Sequence, residues 1–467
     1  MATNMLPVTS PFDGSEVGTV PVGTEADLEG ALAEAESRFR DRDGWIAVHE
    51  RVAILERAAA LMSERREALA LQAANEGGKP LIDSRVEVAR AIDGVRLAVE
   101  AIRTEAGRVV PIAGTPSGAS RTAFTRTEPI GVVVAVSAFN HPLNLIVHQV
   151  APAIAAGCPV IVKPADDTPL SCRSFVDILE EAGLPAGWCR FLLPQDLSLA
   201  ERLVVDPRVG FFSFIGSARV GWMLRSKLAP GTRCALEHGG AAPLILAADA
   251  DIESAVRAVA KGGFYHAGQV CVSVQRVFAD ESVAGEFAER LADAAGKLQV
   301  GDPANPETEV GPLIRPREVT RVAEWVEEAR GGGAEVLAGG EPCLRQCYQP
   351  TVLLEPPRDV RVSREEVFGP VVCVYAYTDV DDAIAYANAL PYAFQAAVFT
   401  RDIDTAFYVS NRIEASAVMV NDHTAFRVDG MPFAGLKQSG LGVGGIPHTI
   451  REMQVEKMIV FYSAGLG

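Results

Sequence analysis

Stretches typical of strands and of helices alternate along almost the whole chain, and this alternation restricts the fold more than any other feature of the sequence. Residues 130–136 are apolar and rich in β-branched residues, as expected for a strand that is buried on both faces. A helix is predicted at 142–156, capped by Asn140 and ended by Gly157, and a second apolar strand at 159–162 follows it. This order is typical of an α/β fold in which helices cover both faces of a parallel sheet.

The alternation runs in two blocks, the second beginning near Pro243, which predicts two Rossmann-like, doubly wound parallel-sheet domains. Further strands are predicted at 209–215, 234–236, 274–279, 371–375 and 417–421, and further helices at 168–183, 251–261, 282–297 and 316–330. Two remaining segments, 108–126 and 457–462, alternate like exposed strands. Because such strands often pair with another subunit, we expect them to form a small β hairpin and tail used for oligomerisation.

The composition argues against several classes of protein. The 467 residues contain 43 Lys and Arg against 60 Asp and Glu, which gives a net charge of −17 with no basic run. Such a chain is not suited to nucleic acid or to anionic membrane surfaces. The sequence offers no apolar run long enough to span a bilayer and no secretory signal at its start, so we expect a cytoplasmic protein whose eight cysteines are reduced.

Cys271 lies at a predicted turn between a helix that ends near Gly268 and a strand that follows Ser273. A thiol at a bend can face a cleft, and only a partly exposed thiolate is a useful nucleophile. The alternative is a small core residue, because free cysteine is among the most buried residue types.

Glu237 stands at the carboxyl end of a predicted strand and is followed by Gly239 and Gly240. Open parallel sheets bind ligands at this edge, where a carboxylate is well placed to act as a general base. A solvent-exposed glutamate beside a turn is the alternative.

Two segments carry the features of a nucleotide site. Gly216 and Ser217 follow an apolar strand and open a helix, so free backbone N–H groups there could hold a diphosphate. Lys163 and Asp166 follow another strand and could face a ribose, although a surface ion pair would use the same residues.

Three other patterns are set aside. A literal G-x-G-x-x-G at Gly440, Gly442 and Gly445 has no apolar strand directly before it and too little chain after it for a nucleotide-binding unit. Five of the histidines fall in or beside the motifs, at 141, 148, 238, 266 and 423, but they lack the tight spacing of zinc ligands, so no metal is expected. Cys343 and Cys347 have no second half-site.

Taken together, the motifs resemble the aldehyde dehydrogenase superfamily from about residue 10 to the C-terminus. They are Glu-Pro-Ile-Gly-Val-Val at 128–133, Phe-Asn-His-Pro-Leu at 139–143, Lys-Pro at 163–164, Phe-Ile-Gly-Ser at 214–217, Glu-His-Gly-Gly at 237–240, Gly-Gln-Val-Cys at 268–271, Glu-Glu-Val-Phe-Gly-Pro at 365–370 and Pro-Phe-Ala-Gly at 432–435.

The resemblance implies a mechanism. Cys271 would attack the aldehyde carbon, and the amide of Asn140 with the backbone N–H of Cys271 would hold the thiohemiacetal oxyanion. Hydride transfer to a nicotinamide would leave a thioester, which water activated by Glu237 would hydrolyse. The cofactor residues implied are Lys163, Asp166, Gly216, Ser217, Gly239, Glu366 and Phe368. Asp166 replaces the glutamate usual in NAD-preferring members, so NAD is favoured and NADP stays possible.

The substrate is predicted from two features. His141, Asn144 and His148 are spaced i, i+3 and i+7, so they share one helix face, which in the family lines the aldehyde tunnel. Arg427 lies in a loop that resembles the lactaldehyde dehydrogenase-like branch and could bind a carboxylate, phosphonate or hydroxyl. An Arg427–Asp429 pair on the surface is the alternative. We predict a short polar or anionic aldehyde.

The domain boundaries follow from the same resemblance. The NAD(P)-binding domain is predicted at 1–107 and 127–236, the catalytic domain at 237–432, oligomerisation strands at 108–126 and 453–467, and a segment returning to the first domain at 433–452, in a homodimer or homotetramer. Two other functions remain open. A CoA-acylating semialdehyde dehydrogenase tends to lack a carboxylate at position 237, and a catalytically silent structural paralogue usually loses its nucleophile.

Overall fold

The computed structural model describes residues 4–466, so the expectations for residues 1–3 and 467 lie outside the described residues. The strands are β1 Met5–Thr9, β2 Glu16–Pro21, β3 Val109–Val110, β4 Arg121–Pro129, β5 Val132–Val136, β6 Val160–Lys163, β7 Cys189–Phe191, β8 Val209–Ile215, β9 Arg233–Glu237, β10 Ala242–Leu246, β11 Val274–Asp280, β12 Glu335–Ala338, β13 Thr351–Leu354, β14 Val371–Tyr377, β15 Tyr392–Ala393, β16 Gln395–Phe399, β17 Ala417–Val420, β18 Leu436–Lys437, β19 Gly440–Leu441 and β20 Gln454–Tyr462.

The helices are α1 Glu25–Arg40, α2 Val48–Glu64, α3 Arg66–Gly77, α4 Leu81–Thr104, α5 Asn144–Ala156, α6 Pro169–Glu181, α7 Leu197–Val205, α8 Ala218–Arg225, α9 Ile252–Phe264, α10 Glu281–Ala295, α11 Pro316–Gly331, α12 Arg361–Arg364, α13 Val380–Asn388, α14 Ile403–Ser410 and α15 Ile446–Glu452. None of these helices has both the length and the apolar character needed to cross a membrane.

The first large sheet has six strands in the order β19-β9-β8-β5-β6-β7. All neighbours are parallel except β19, which pairs antiparallel with β9. The central strand β5 is apolar and almost wholly buried, because helices pack on both faces of the sheet. This sheet is the first of the two doubly wound layers that the alternation predicts.

The second large sheet has seven strands in the order β12-β13-β14-β11-β10-β16-β17. Its strands are parallel except for β12 at one edge. A separate apolar core, which includes Phe264, Phe278 and Phe399, lies between this sheet and its helices. The predicted fold class of two doubly wound α/β layers is confirmed.

The two segments expected to be exposed strands meet in a third sheet. Its order is β20-β4-β3, and all pairs are antiparallel, with Gln454 opposite Pro129 and Tyr462 opposite Arg121. Residues 454–462 therefore extend a hairpin that lies more than 300 positions earlier in the chain.

The start of α5 differs from the prediction. The helix begins at Asn144, not at 142, and Asn140 does not cap it. The carboxylate of Glu87 on α4 takes that role, because its Oε1 accepts hydrogen bonds from the backbone N–H groups of Leu143 and Asn144, at 2.9 and 3.0 Å. Lys79 pairs with the other oxygen of Glu87 at 2.7 Å, and both side chains are fully buried. The amide of Asn140 is thereby free for another partner.

Candidate active site

The carboxyl edge of the first sheet gathers several of the residues that the sequence indicated. Lys163 is the last residue of β6, Glu237 is the last residue of β9, and Gly216 directly follows β8. Asn140 lies in the loop that leaves β5. Parallel strands place their carboxyl ends at one edge, which explains why segments so far apart in sequence converge there.

Cys271 lies in the turn between the short helical segment Tyr265–Gly268 and β11, as predicted, and its side chain is half-buried. His266 and Ala267 adopt positive φ angles of 49° and 53°, so the chain reverses sharply just before the thiol. A small apolar cluster that includes Val270, Val272, Phe394 and Phe433 packs around the turn. The thiol therefore stands at the rim of an apolar cluster and not in either large core.

The charges around Cys271 oppose one another. Burial raises the pKa of the thiol, the guanidinium of Arg427 lowers it, and the carboxylates of Glu237 and Glu366 raise it, with a net pKa of about 12. At neutral pH the thiol is consequently protonated, and a base must accept its proton when the sulfur reacts.

Asn140 is buried, and its amide Nδ2 donates to the backbone oxygen of Gln269 at 2.9 Å, two residues before Cys271. The side chain of Gln269 is fixed in turn, because it donates to Pro312 O at 3.2 Å and accepts from Ile314 N at 3.0 Å. The Asn140 amide has two hydrogens, so the second can point towards a group bound at the thiol.

Glu237 is half-buried, and burial raises the pKa of its carboxyl while Arg427 opposes that shift. Its Oε1 lies directly against Gly444, where a methyl group would overlap the carboxylate. The neighbouring strand β19 pairs Gly440 with Glu237 itself. Gly440, one glycine of the misleading nucleotide pattern, and Gly444, which is not part of that pattern, thus pack against Glu237, a role that sequence reasoning missed.

Glu366 and Phe368 face the same region from the second sheet. The Glu366 carboxylate accepts a hydrogen bond from Gly240 N at 3.0 Å and lies so close to Gly239 that a methyl group there would overlap it. Burial raises the pKa of Glu366 to about 7. Phe368 has a φ of 45° and packs edge-on against Phe139, with ring centroids 5.9 Å apart.

The residues expected at the diphosphate and the ribose follow β8 and β6 at the same edge of the sheet. Ser217 precedes the first residue of α8, and its side chain makes no capping hydrogen bond. Lys163 pairs with Asp166 at 2.5 Å, with the carboxylate about half exposed. The ion pair that was the alternative interpretation of Lys163 and Asp166 is therefore present, and it lies at the carboxyl end of β6.

His238 shows how the sheet accommodates a histidine next to Glu237. Its ring packs against Phe214 and Trp222, with centroids 5.6 and 5.9 Å away, and a methyl group at Gly221 would overlap it. Burial lowers the pKa of His238, so the ring is neutral and serves as a packing group.

Asn144 and His148 direct their side chains to one buried carboxylate, that of Asp429. Asn144 Nδ2 lies 3.2 Å and His148 Nε2 lies 2.7 Å from its Oδ1. His141, on the same face, is buried, and its ring packs edge-on to His266 at 6.4 Å. The structure therefore brings together the polar face that the spacing predicted.

Arg427 does not pair with Asp429. Asp429 is bonded to Arg90 of α4, which sequence reasoning missed because no motif lies near it; the two bonds measure 2.7 and 3.1 Å. The Arg427 guanidinium lies 3.5 Å above the ring of Phe433 and 3.4 Å from His148 Nδ1. Within residues 4–466 no carboxylate oxygen lies within 4 Å of it, and its buried Nε has no partner.

No group of three or more His, Cys, Asp or Glu side chains is arranged to hold a metal in the described part of the chain. The eight cysteines are all free thiols.

Comparison with known proteins adds independent findings. The profile of the Aldehyde dehydrogenase family matches residues 1–459. The chain is 37% identical over 453 residues to a 3-sulfolactaldehyde dehydrogenase of Priestia megaterium, covering 97% of this chain and 94% of that protein. It is 35% identical over 457 residues to a lactaldehyde dehydrogenase of Methanocaldococcus jannaschii, covering 97% and 96%.

Two solved structures are similar over nearly their whole length. Aldehyde dehydrogenase 21 from Physcomitrella patens, in complex with the reaction product succinate, has a TM-score of 0.95 and 34% identity, covering 99% of this chain and 96% of that chain. Glyceraldehyde-3-phosphate dehydrogenase GapN from Methanocaldococcus jannaschii, complexed with NADP, has a TM-score of 0.93 and 34% identity, covering 99% of both chains.

Proposed function

The chain belongs to the aldehyde dehydrogenase family, and from that premise we propose that it oxidises a short polar or anionic aldehyde to the carboxylic acid with NAD, or with NADP as an alternative. One arrangement carries the proposal. A half-buried thiol lies in the fields of two carboxylates and one guanidinium, next to an anchored amide, at the ligand-binding edge of a doubly wound sheet.

The first step is attack of Cys271 on the aldehyde carbon. The sulfur forms a bond to carbon, the carbonyl oxygen becomes an oxyanion, and the thiol proton must leave because the resting thiol is neutral. That proton passes to solvent as the sulfur reacts, and the guanidinium of Arg427 favours the thiolate form.

Asn140 would stabilise the oxyanion. One amide hydrogen holds Gln269 O, and the second is available for the developing charge, together with the backbone N–H of Cys271. A preorganised donor of this kind is worth about 3 kcal/mol in comparable sites.

The cofactor residues fit a nicotinamide dinucleotide. Glu366 has no Lys, Arg or His partner within 4 Å among residues 4–466, so its carboxylate can accept from ribose hydroxyls while Gly239 allows close approach. Gly216 and Ser217 would hold the diphosphate, and Lys163 and Asp166 would face the adenosine ribose. Phe368 would contact the nicotinamide end of the cofactor. Bound NAD(P) supplies the acceptor for the hydride that leaves the thiohemiacetal.

The choice between NAD and NADP depends on Asp166 and Lys163. A half-exposed carboxylate at position 166 would repel a 2′-phosphate, which favours NAD, whereas the lysine beside it would attract one. GapN of Methanocaldococcus jannaschii is described in complex with NADP, which supports keeping NADP as a second cofactor.

Hydrolysis of the thioester is the last step. Glu237 would remove a proton from the water that attacks the acyl carbon, and Cys271 would leave as the thiolate. A CoA-acylating reaction would need no such base, so the carboxylate at position 237 argues against that alternative.

Arg427 supports the anionic substrate class. Its guanidinium is stacked on Phe433, lies close enough to influence the charges of both Cys271 and Glu237, and has an unpartnered Nε. A cation held without a carboxylate partner is suited to a substrate carboxylate, phosphonate or sulfonate. One related protein is named for 3-sulfolactaldehyde, and another is described in complex with succinate. Both of these molecules are anions.

The test is cofactor reduction by a panel of aldehydes, measured with NAD and with NADP, for the wild type and three variants. We expect Cys271→Ala to abolish activity and Glu237→Gln to lower kcat at least about 100-fold. Cys343→Ala, at another half-buried thiol outside the site, should leave kcat and KM unchanged. Reduction by no aldehyde, or full activity in Cys271→Ala, would contradict the proposal, and a rate that depends on added CoA would favour the acylating alternative.

A further inference from the structure

Asp429 is a buried carboxylate with an unusually complete set of partners. It accepts two hydrogen bonds from Arg90 and one each from Asn144 and His148, and its side chain is 1% exposed. Its pKa is held well below the ordinary value by His148 and Arg90, so it stays ionised. Three distant parts of the chain, α4, α5 and the loop after β17, are tied together by this one group.

The contact with Asp429 fixes the proton of His148. An ionised carboxylate can only accept, so the nitrogen 2.7 Å away, Nε2, must carry the hydrogen. Burial and Arg427 lower the pKa of His148 to about 4, so the ring is neutral and Nδ1 has a free lone pair. Nδ1 is the atom that lies 3.4 Å from Arg427 Nη2, and a guanidinium can only donate.

We propose that Asp429 and Arg90 are positioning residues that hold Arg427 for an anionic substrate through His148. In the hydrogen-bonded series Asp429–His148–Arg427, the carboxylate must accept from Nε2 and the guanidinium must donate to Nδ1. The Asp429 carboxylate therefore fixes which ring nitrogen of His148 is free to hold Arg427. The inference rests on the proposed function, because it needs Arg427 to meet the substrate.

Arg90 completes the arrangement by occupying Asp429. Arg427 lies only two residues from this carboxylate, yet it is not bonded to it, since Arg90 binds both carboxylate oxygens. Without Arg90, Asp429 would be an unneutralised acceptor beside the guanidinium of Arg427, which has no other ionic partner in the described part of the chain. We infer that the Arg90–Asp429 pair keeps Arg427 available to the substrate.

The experiment compares two probes of equal size, a four-carbon aldehyde with a terminal carboxylate and its neutral primary amide. We expect Asp429→Asn to raise KM for the carboxylate about tenfold, the loss of one charge-assisted hydrogen bond, and to change KM and kcat for the amide less than about twofold. Asp422→Asn is the matched control: Asp422 lies in the same loop, and among residues 4–466 its side chain is bonded to its neighbour His423 alone, so the variant should change KM for neither probe.

Arg90→Gln provides a second variant, and it should raise KM for the carboxylate in the same way. A purely structural role would lower kcat or raise KM for both probes alike, and that result would overturn the inference. If the wild type oxidises neither probe, the proposed function fails. If the wild type prefers the carboxylate and both variants keep that preference, only the positioning role fails.

A wild-type measurement covers the case in which neither variant folds. The charged groups around His148 are Arg427, Asp429 and Arg90, all of which keep their charge near neutral pH. KM for the carboxylate probe should therefore stay constant between pH 6 and 8. A change of about tenfold centred near pH 6.5 that the neutral amide probe does not share would show that His148 binds substrate in its protonated form, contrary to the inference.

Discussion

At the scale of single residues, Glu366 illustrates how a carboxyl group in a poorly solvated place lowers stability. Its folded pKa of about 7 lies above the ordinary 4.5, so between these values the folded protein binds more protons than the unfolded chain. The free energy of unfolding therefore decreases as pH rises through this interval, because an ionised carboxylate must be kept in a poorly solvated place.

Glu366→Gln removes that unfavourable charge. We expect it to raise the free energy of unfolding by about 1 to 2 kcal/mol at pH 8 and to leave it nearly unchanged at pH 4, while KM for NAD(P) increases. Thermal and urea unfolding at the two pH values measure the difference. Glu365→Gln, at the exposed neighbour, is the control, and an equal effect of Glu366→Gln at both pH values would argue against a charge effect.

Gly444 is a residue whose contact with Glu237 becomes visible only in the structure. A methyl group there would overlap Oε1 of Glu237, so Gly444→Ala should displace the proposed base. We predict a decrease in kcat of at least about tenfold with little change in KM, since misplacement of a catalytic group by about 1 Å is enough for such a loss.

Gly285→Ala on α10 is the matched control, because a methyl group at position 285 meets no atom within 4 Å. It should keep full activity and gain up to about 1 kcal/mol in stability from the helix propensity of alanine. Full activity in Gly444→Ala would show that Glu237 works from another position.

At the scale of elements, β20 is an edge strand with an exposed apolar surface. Met458, Val460, Phe461 and Tyr462 are each about half exposed or more, and Phe124 of β4 stacks on Phe461 at 5.9 Å. An edge strand of this kind is a template for pairing with another chain, and we propose that β20 joins subunits into a homodimer or homotetramer.

Light scattering tests this proposal. Met458→Lys combined with Val460→Lys places two charges on one face of β20, and we expect the protein to dissociate into a smaller species with its fold intact. Ile403→Lys combined with Phe407→Lys, at exposed apolar positions of α14, is a control for the added charge alone. A wild type that is monomeric at micromolar concentration would contradict the role given to β20.

The elements also show what a sequence can reveal. Strands such as β5 and β8 were predictable because burial on both faces leaves a continuous apolar run, visible within seven residues. The start of α5 was not predictable, because the carboxylate that caps it belongs to Glu87, more than 50 positions earlier. A rule based on neighbouring residues assigned the cap to Asn140 instead. Capping by a distant carboxylate leaves no local pattern.

At the scale of the whole molecule, the same distinction separates the parts of the site. Cys271, Glu237 and Asn140 were identified from motifs and strand ends. In the structure Glu237 lies at the carboxyl edge of the parallel sheet, and Asn140 is bonded to the segment that precedes Cys271. The Arg90–Asp429 pair joins positions 339 apart, and no pattern within either segment indicates the other. The net charge of −17 likewise conceals a guanidinium, Arg427, that lacks a carboxylate partner within the described residues.

The most direct test of the central claim is the mass of the enzyme during turnover. Glu237→Gln, mixed with NAD(P) and an oxidisable aldehyde and quenched in acid, should gain the mass of the aldehyde less two hydrogens, located by peptide mapping on Cys271. The double variant with Cys271→Ala should gain nothing. Cofactor reduction without this adduct, or an adduct on another residue, would contradict a mechanism in which Cys271 carries the acyl group and Glu237 releases it.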